Sequence, residues 1–138
     1  MSPMLTLSQQ FATLIDQTRF DEAAELLAEE CQYHYWEGNY SGRKNIANIY
    51  RHLYEFTKKM FDEAIPSSEI EPLDGSSCRV HFKDQVRIGE LWHESRFDQV
   101  LRFEDGLIVD IREVQIPGEA EAMQEFFKEA NSPFATTA

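Results

Sequence analysis

Ser2-Pro3 reads as a helix cap followed by proline at the first helical position, and Leu7, Phe11, Leu14 and Ile15 then recur at helical spacing. Arg19 and Phe20 interrupt that run. Asp21 offers a cap for a second short helix, with Ala23, Ala24, Leu26 and Leu27 on its buried stripe. The aromatic-rich stretch Cys31 to Tyr35 predicts a strand, and Gly38, Asn39, Ser41 and Gly42 predict a loop. A long helix follows from Arg43 to Asp62, with Ile46, Ile49, Tyr50, Leu53 and Met60 along one side. Pro66 bars its continuation. From Ser67 to Ile116 the pattern is β. Four segments, Ser68–Leu73, Ser77–Ile88, Leu91–Phe103 and Leu107–Ile116, are separated by the turn formers Asp74-Gly75, Gly89-Glu90 and Glu104-Asp105-Gly106. A last helix from Glu119 to Ala130 carries Met123, Phe126 and Phe127, and residues 131–138 are expected to fray. Three helices followed by antiparallel strands predict one α+β domain over residues 1–130, with a curved sheet covered by the helices.

The turns set which side chains point inward. A two-residue loop at Gly89-Glu90 pairs Ile88 with Leu91, Val86 with His93, Asp84 with Ser95, Phe82 with Phe97 and Val80 with Gln99. A three-residue loop at Glu104-Asp105-Gly106 pairs Phe103 with Leu107, Leu101 with Val109, Gln99 with Ile111 and Phe97 with Glu113. Both hairpins then share one apolar face. The opposite face carries Arg79, His81, Lys83, Arg87, Arg96, Asp98, Arg102 and Arg112, with Asp98 expected opposite Arg112 as a cross-strand ion pair. Trp92, Val100, Ile108 and Val114 are apolar exceptions on that outer face and predict self-association through it, most simply as a homodimer.

Composition narrows the partners. The chain has 138 residues, 13 Lys and Arg against 25 Asp and Glu, and a formal charge of −12. That acidity argues against nucleic acid and against an anionic membrane surface, both of which need a basic footprint. Cys31 and Cys78 form neither a disulfide framework nor a CxxC pair, and the His residues lack metal spacing. No metal or cofactor is expected. The N-terminus lacks the layout of a signal peptide, so the cytoplasm is the expected compartment.

Polar residues interrupt the inner face at Asp84, His93, Ser95, Gln99, Glu113 and Gln115, and all but Gln99 fall at one end of the hairpins. Buried polar groups must pair, meet water or line a cavity. Two carboxylates beside an imidazole can push each other's pKa apart, so Asp84, His93 and Glu113 are the candidate catalytic residues. A solvated rim of strands projecting past the helices explains the same pattern without chemistry. Tyr33 and Tyr35 join the inner face if odd positions of the first strand point inward. The candidate ligand-binding wall is then Tyr33, Tyr35, Tyr50, Phe82, Phe97, Gln99 and Leu101.

Three stretches resemble the SnoaL-like/NTF2-like superfamily: RFDEAAELLAEECQYHYWEG, YSGRKNIANIYRHL and FDQVLRFEDGLIVDIREVQ. The resemblance implies a cone-shaped α+β barrel with a pocket between sheet and helices, and frequent dimers through the outer sheet face. It does not settle function, because the superfamily holds isomerases, dehydratases, cyclases, epoxide hydrolases and binding modules. The positions that match a ketosteroid isomerase site hold Phe11, Tyr35 and Gln99, and Phe11 cannot donate while Tyr35 is a poor base at neutral pH. The last-strand carboxylate of limonene-type epoxide hydrolases falls on Glu113, with Asp84 near the partner position but no inward arginine. The leading expectation is a small-molecule-binding protein for a hydrophobic ligand. The alternatives are a cofactor-independent lyase, isomerase or hydrolase, and an interaction module using the outer sheet face.

Overall fold

A computed structural model describes residues 2–35 and 38–136. The chain order is α1 (Pro3–Asp16), α2 (Phe20–Ala24), β1 (Leu27–Tyr35), β2 (Gly38–Ser41), α3 (Arg43–Met60), β3 (Glu63–Pro72), β4 (Ser77–Ile88), β5 (Leu91–Glu104), β6 (Leu107–Val114) and α4 (Glu119–Glu129). The six strands form one curved, unclosed sheet in the order β2-β1-β6-β5-β4-β3. All neighbours are antiparallel except β1 and β6, which run parallel.

Local chemistry explains the helix ends. Ser2 Oγ accepts from the Leu5 amide at 3.1 Å, with Pro3 in the first turn, as the sequence predicts. α1 stops at Thr18, whose φ is 59°, and the Arg19 amide closes the end on the Leu14 carbonyl. The second helix therefore starts at Phe20 and not at a cap on Asp21. Asp21 sits in its first turn and accepts from Arg51 Nη2 at 2.9 Å. α3 opens at Gly42, whose φ of 93° suits glycine, and the next residue, Arg43, donates Nε to the Leu27 carbonyl at 2.7 Å. That bond ties the start of α3 to the start of β1.

The concave face of the sheet holds the core. Phe11 and Ala12 of α1, Ala23 of α2, and Ile46, Ala47 and Tyr50 of α3 pack against Cys31, Tyr33, Val80, Phe82, Leu101, Ile108 and Ile111 of the strands. Each fully buried large apolar side chain contributes roughly 1.5–3 kcal/mol. A second, smaller cluster lies under α4, where Phe126 and Phe127 meet Phe61 and Val86. The described part of the tail lies against α3 and α4. Phe134 packs its ring against Phe56 and Phe127, and the Thr136 amide donates to Gln124 at 2.8 Å. Thr137 and Ala138 lie outside the described residues.

The β4–β5 register is the one the sequence predicts, residue for residue from Ile88–Leu91 to Val80–Gln99. The last hairpin differs. Its loop has two residues, Asp105 and Gly106, both at positive φ (51° and 77°), so Glu104 pairs with Leu107. A bulge at Val109 then shifts the strands again, and Leu101 pairs with Ile111 and Gln99 with Glu113. The two departures cancel in parity, so Ile111 and Glu113 still face inward. They do not cancel in position, because every inward partner beyond the bulge moves by two residues. Ile108, expected on the outer face, is buried in the core opposite Phe103.

Candidate functional site

The concave face holds a hydrogen-bonded chain that runs from α3 through the sheet. Tyr50 of α3 donates its hydroxyl to Gln99 Oε1 at 2.6 Å. Gln99 Nε2 donates to the Tyr33 hydroxyl at 3.0 Å, and Tyr33 donates to Glu113 Oε2 at 3.2 Å. Gln99 is 1 % exposed and Tyr33 is fully buried. Aromatic packing fixes the two tyrosines, with Tyr33 edge-on to Tyr50 at 5.4 Å and to Tyr35 at 5.8 Å. Burial raises the pKa of both Tyr33 and Tyr50 far beyond the neutral range, so each stays a neutral donor. Burial also raises the Glu113 carboxyl, and the Tyr33 hydrogen bond offsets part of that rise. Glu113 is half-buried; Oε2 takes the Tyr33 bond and Oε1 has no protein partner among the described residues.

Asp84, His93 and Glu113 do not meet. In the observed register Glu113 lies level with Gln99 and Val80, four residues along β4 from Asp84 and two strands away. At about 3.3 Å per residue and 4.8 Å per strand, that separates Asp84 from Glu113 by on the order of 15 Å. Asp84 faces Asp16 at the end of α1. Burial, then repulsion from Asp16, pushes its carboxyl up to about 6. Asp16 is itself raised by burial and accepts from Ser68 Oγ at 2.7 Å. His93 belongs to the α4 cluster: its ring stacks on Phe126 at 5.1 Å, and its Nε2 is buried without a partner. No hydrogen bond joins it to Asp84 among the described residues. The predicted acid–base cluster is thus three separate environments: the displacement of β6 carries Glu113 away, while Asp84 meets Asp16 and His93 stacks on Phe126 although their β4–β5 register is the one predicted.

The predicted ligand wall divides into floor and rim. Tyr33, Tyr50, Phe82, Gln99 and Leu101 are buried floor, whereas Tyr35 and Phe97 are half-buried. Phe97 stacks on Phe82 at 4.8 Å, and Tyr35 stacks on Tyr40 of β2 at 5.7 Å. The sequence reading missed Tyr40, because Gly38, Asn39 and Ser41 around it are turn formers. In the structure it pairs with Tyr33 across the antiparallel β1–β2 ladder, which brings it to the side of Tyr35. Two cavities lie elsewhere. One of about 240 Å³ lies beside Arg79, His81, Asp98, Gln115 and Pro117. A shallow polar hollow of about 660 Å³ lies along α1 and α2 near Gln10, Thr13 and Glu22. Asp84, His93 and Glu113 line neither.

On the convex face Asp98 does not pair with Arg112. It is 4 % exposed, opposite Val114, and accepts from Arg79 Nε at 2.6 Å and His81 Nδ1 at 3.0 Å. His81 Nε2 bonds Glu71 at 2.8 Å. Burial opposes charging of this imidazole, but the bonds to Glu71 and Asp98 prevail and raise its pKa. Trp92 is exposed, and Val100 and Val114 are half-buried. Both cysteines are free and buried. Among the described residues no group of three His, Cys, Asp or Glu could hold a metal ion, and no helix is long and apolar enough to cross a membrane.

The sequence matches no family model, and no curated protein is similar to it. Solved structures are similar in three dimensions. An NTF2-like protein of unknown function from Burkholderia pseudomallei superposes with a TM-score of 0.70 at 16% identity, over 90% of this chain and 97% of the other. TerC, crystallised with polyporic acid, gives 0.70 at 11% identity over 92% and 99%. A candidate polyketide cyclase from Xanthomonas campestris gives 0.65 at 12% identity over 93% and 96%. Helices over the concave side of a curved sheet, shared over nine-tenths of the chain, place it in the NTF2-like fold.

Proposed function

We propose that the protein binds a small, largely apolar molecule at the rim of its concave face. One observation carries this reading: a polar chain crosses an otherwise apolar core and ends on a half-buried carboxylate whose second oxygen has no partner among the described residues. Replacing such a chain by packed apolar residues would cost the fold little, so its presence points to a task at its open end. Tyr35 and Phe97 supply the apolar contact beside Glu113. Tyr33, Tyr50, Phe82, Gln99 and Leu101 support it from below, and Asp84 and His93 stand farther along the same face. TerC, with the same fold and a bound small molecule, supports the reading by analogy.

Thermal melting against a panel of apolar small molecules tests it. A saturating ligand should raise Tm by on the order of 5 °C. The rise should shrink in Tyr35→Ala and Phe97→Ala. A panel that leaves Tm unmoved would count against the reading.

A cofactor-independent isomerase, lyase or hydrolase is the second reading, favoured by the upward shift of Glu113. Glu113 would then act as the general base, alone on its part of the sheet, and Glu113→Gln would abolish turnover without loss of ligand binding. We also propose that two copies pair through the convex face at Trp92, Val100 and Val114, with no nucleic acid or membrane involved.

A further inference from the structure

The buried chain has a direction, and the direction selects the ligand. With Glu113 ionised it can only accept, so Tyr33 must donate to it. The Tyr33 oxygen then accepts from Gln99 Nε2, which leaves Gln99 Oε1 to accept from Tyr50. Each proton in the series points toward Glu113. The reverse order needs a protonated Glu113 and a flipped Gln99 amide. What the chain presents at its open end is therefore an acceptor, the second oxygen of Glu113, and not a donor. The surroundings reinforce this polarity. Arg79, Lys83, Arg87, Arg96, Arg102 and Arg112 all occupy convex register positions, so β4–β6 place no Lys or Arg on the concave face. The charged groups those strands do place there are Asp84 and Glu113, with Asp16 of α1 beside Asp84.

We propose that this face selects molecules that carry an O–H or N–H donor on an apolar ring, and rejects carboxylates and other anions. Gln99 is the positioning residue that holds Tyr33 as a donor, and Glu113 makes the contact. The inference rests on the ligand-binding reading above and adds the chemical class. An oxyanion-stabilising site would do the opposite, offering donors to an acceptor on the ligand.

Three probes sharing one ring separate the outcomes: naphthylmethanol, naphthylmethylamine and naphthoate, titrated calorimetrically into the full chain at pH 7.5. The alcohol, the ammonium or both should bind about tenfold or more tightly than the carboxylate. Which of the two leads identifies hydroxyl or amine as the natural donor. In Glu113→Gln the side-chain amide can donate as well as accept, so the gap should close to within about threefold. Naphthoate binding as tightly as the others to the wild-type chain overturns the polarity while leaving ligand binding intact. A preference unchanged in Glu113→Gln removes Glu113 from it. Failure of all three probes to bind sinks the ligand-binding reading itself.

Discussion

Gln99 uses both ends of its amide, and its two tyrosine partners are buried with it. Gln99→Leu leaves the Tyr50 hydroxyl without its acceptor and the Tyr33 oxygen without its donor. A buried group stripped of its partner costs about 1–3 kcal/mol, and urea unfolding should show a loss of that size. Tyr50→Phe should cost less, and the double variant should lose less than the two single losses added, by about 0.5 kcal/mol or more. Strict additivity would mean that the chain is no coupled unit. Asp84 gives a pH-dependent counterpart. Folded, it holds its proton up to about 6; released from the fold, it titrates near 3.8. Between those values the folded state binds more protons than the unfolded one. Stability is therefore favoured below the window and falls as pH rises through it, with the full deficit above about 6. Asp84→Asn should be more stable than wild type by about 1–2 kcal/mol at pH 7.5, a figure reduced for partial exposure, with the advantage vanishing near pH 4. A variant no more stable at pH 7.5 would show that Asp84 is better solvated than its position implies.

At the scale of the element, the two hairpins show what sequence can and cannot reveal. Gly89-Glu90 closes a two-residue turn between strands without a bulge, and alternation alone recovers that register along its whole length. The β5–β6 hairpin has a two-residue turn and a bulge. The turn is marked, since Asp105-Gly106 is the dipeptide that a two-residue turn favours and reading Glu104 into the loop overlooks it; the bulge leaves no mark, because Ile108 and Val109 are both apolar and either could face the core. Parity survived and position did not. The aromatic floor was therefore legible, the Glu113 carboxylate was rightly placed inward, and its neighbours were wrong. β2 was hidden because four residues dominated by turn formers carry no alternation. β3 was cut short because Pro66 reads as a breaker, yet it is tolerated on an edge strand where a missing N–H faces no partner. The turn conformation predicts a contrast. Gly106 sits at φ 77° and Gly75 outside the left-handed region with open space around it. Gly106→Ala should cost roughly 1–2 kcal/mol, while Gly75→Ala should stay within about 0.5 kcal/mol. Equal effects in chemical denaturation would contradict the turn geometry that sets the position of Glu113.

At the scale of the whole molecule, charge is unevenly divided. On the convex face of β3–β6, Arg79, Lys83, Arg87, Arg96, Arg102 and Arg112 nearly balance Glu63, Glu69, Glu71, Glu94, Asp98, Glu104 and Asp110, and many of them are paired in place. Most of the formal charge of −12 therefore lies outside that face. Two copies repel through their net charge whichever way they approach, but two that meet convex face to convex face bring together nearly neutral surfaces with Trp92, Val100 and Val114 among the ion pairs. Sedimentation should accordingly show a dimer. Because the net repulsion is long-ranged and the proposed contact is locally neutral, association should strengthen as salt rises from low values, as screening shortens the reach of the distant charges to about 10 Å at 0.1 M. Val100→Glu adds an unpaired charge at the centre of that face and should shift the equilibrium toward monomer by a factor of about ten or more, whereas Lys44→Glu on α3 should act only through net charge. Salt that weakens association, or a Val100→Glu chain that dimerises like wild type, would place the contact on another surface and leave the convex valines and Trp92 without a partner.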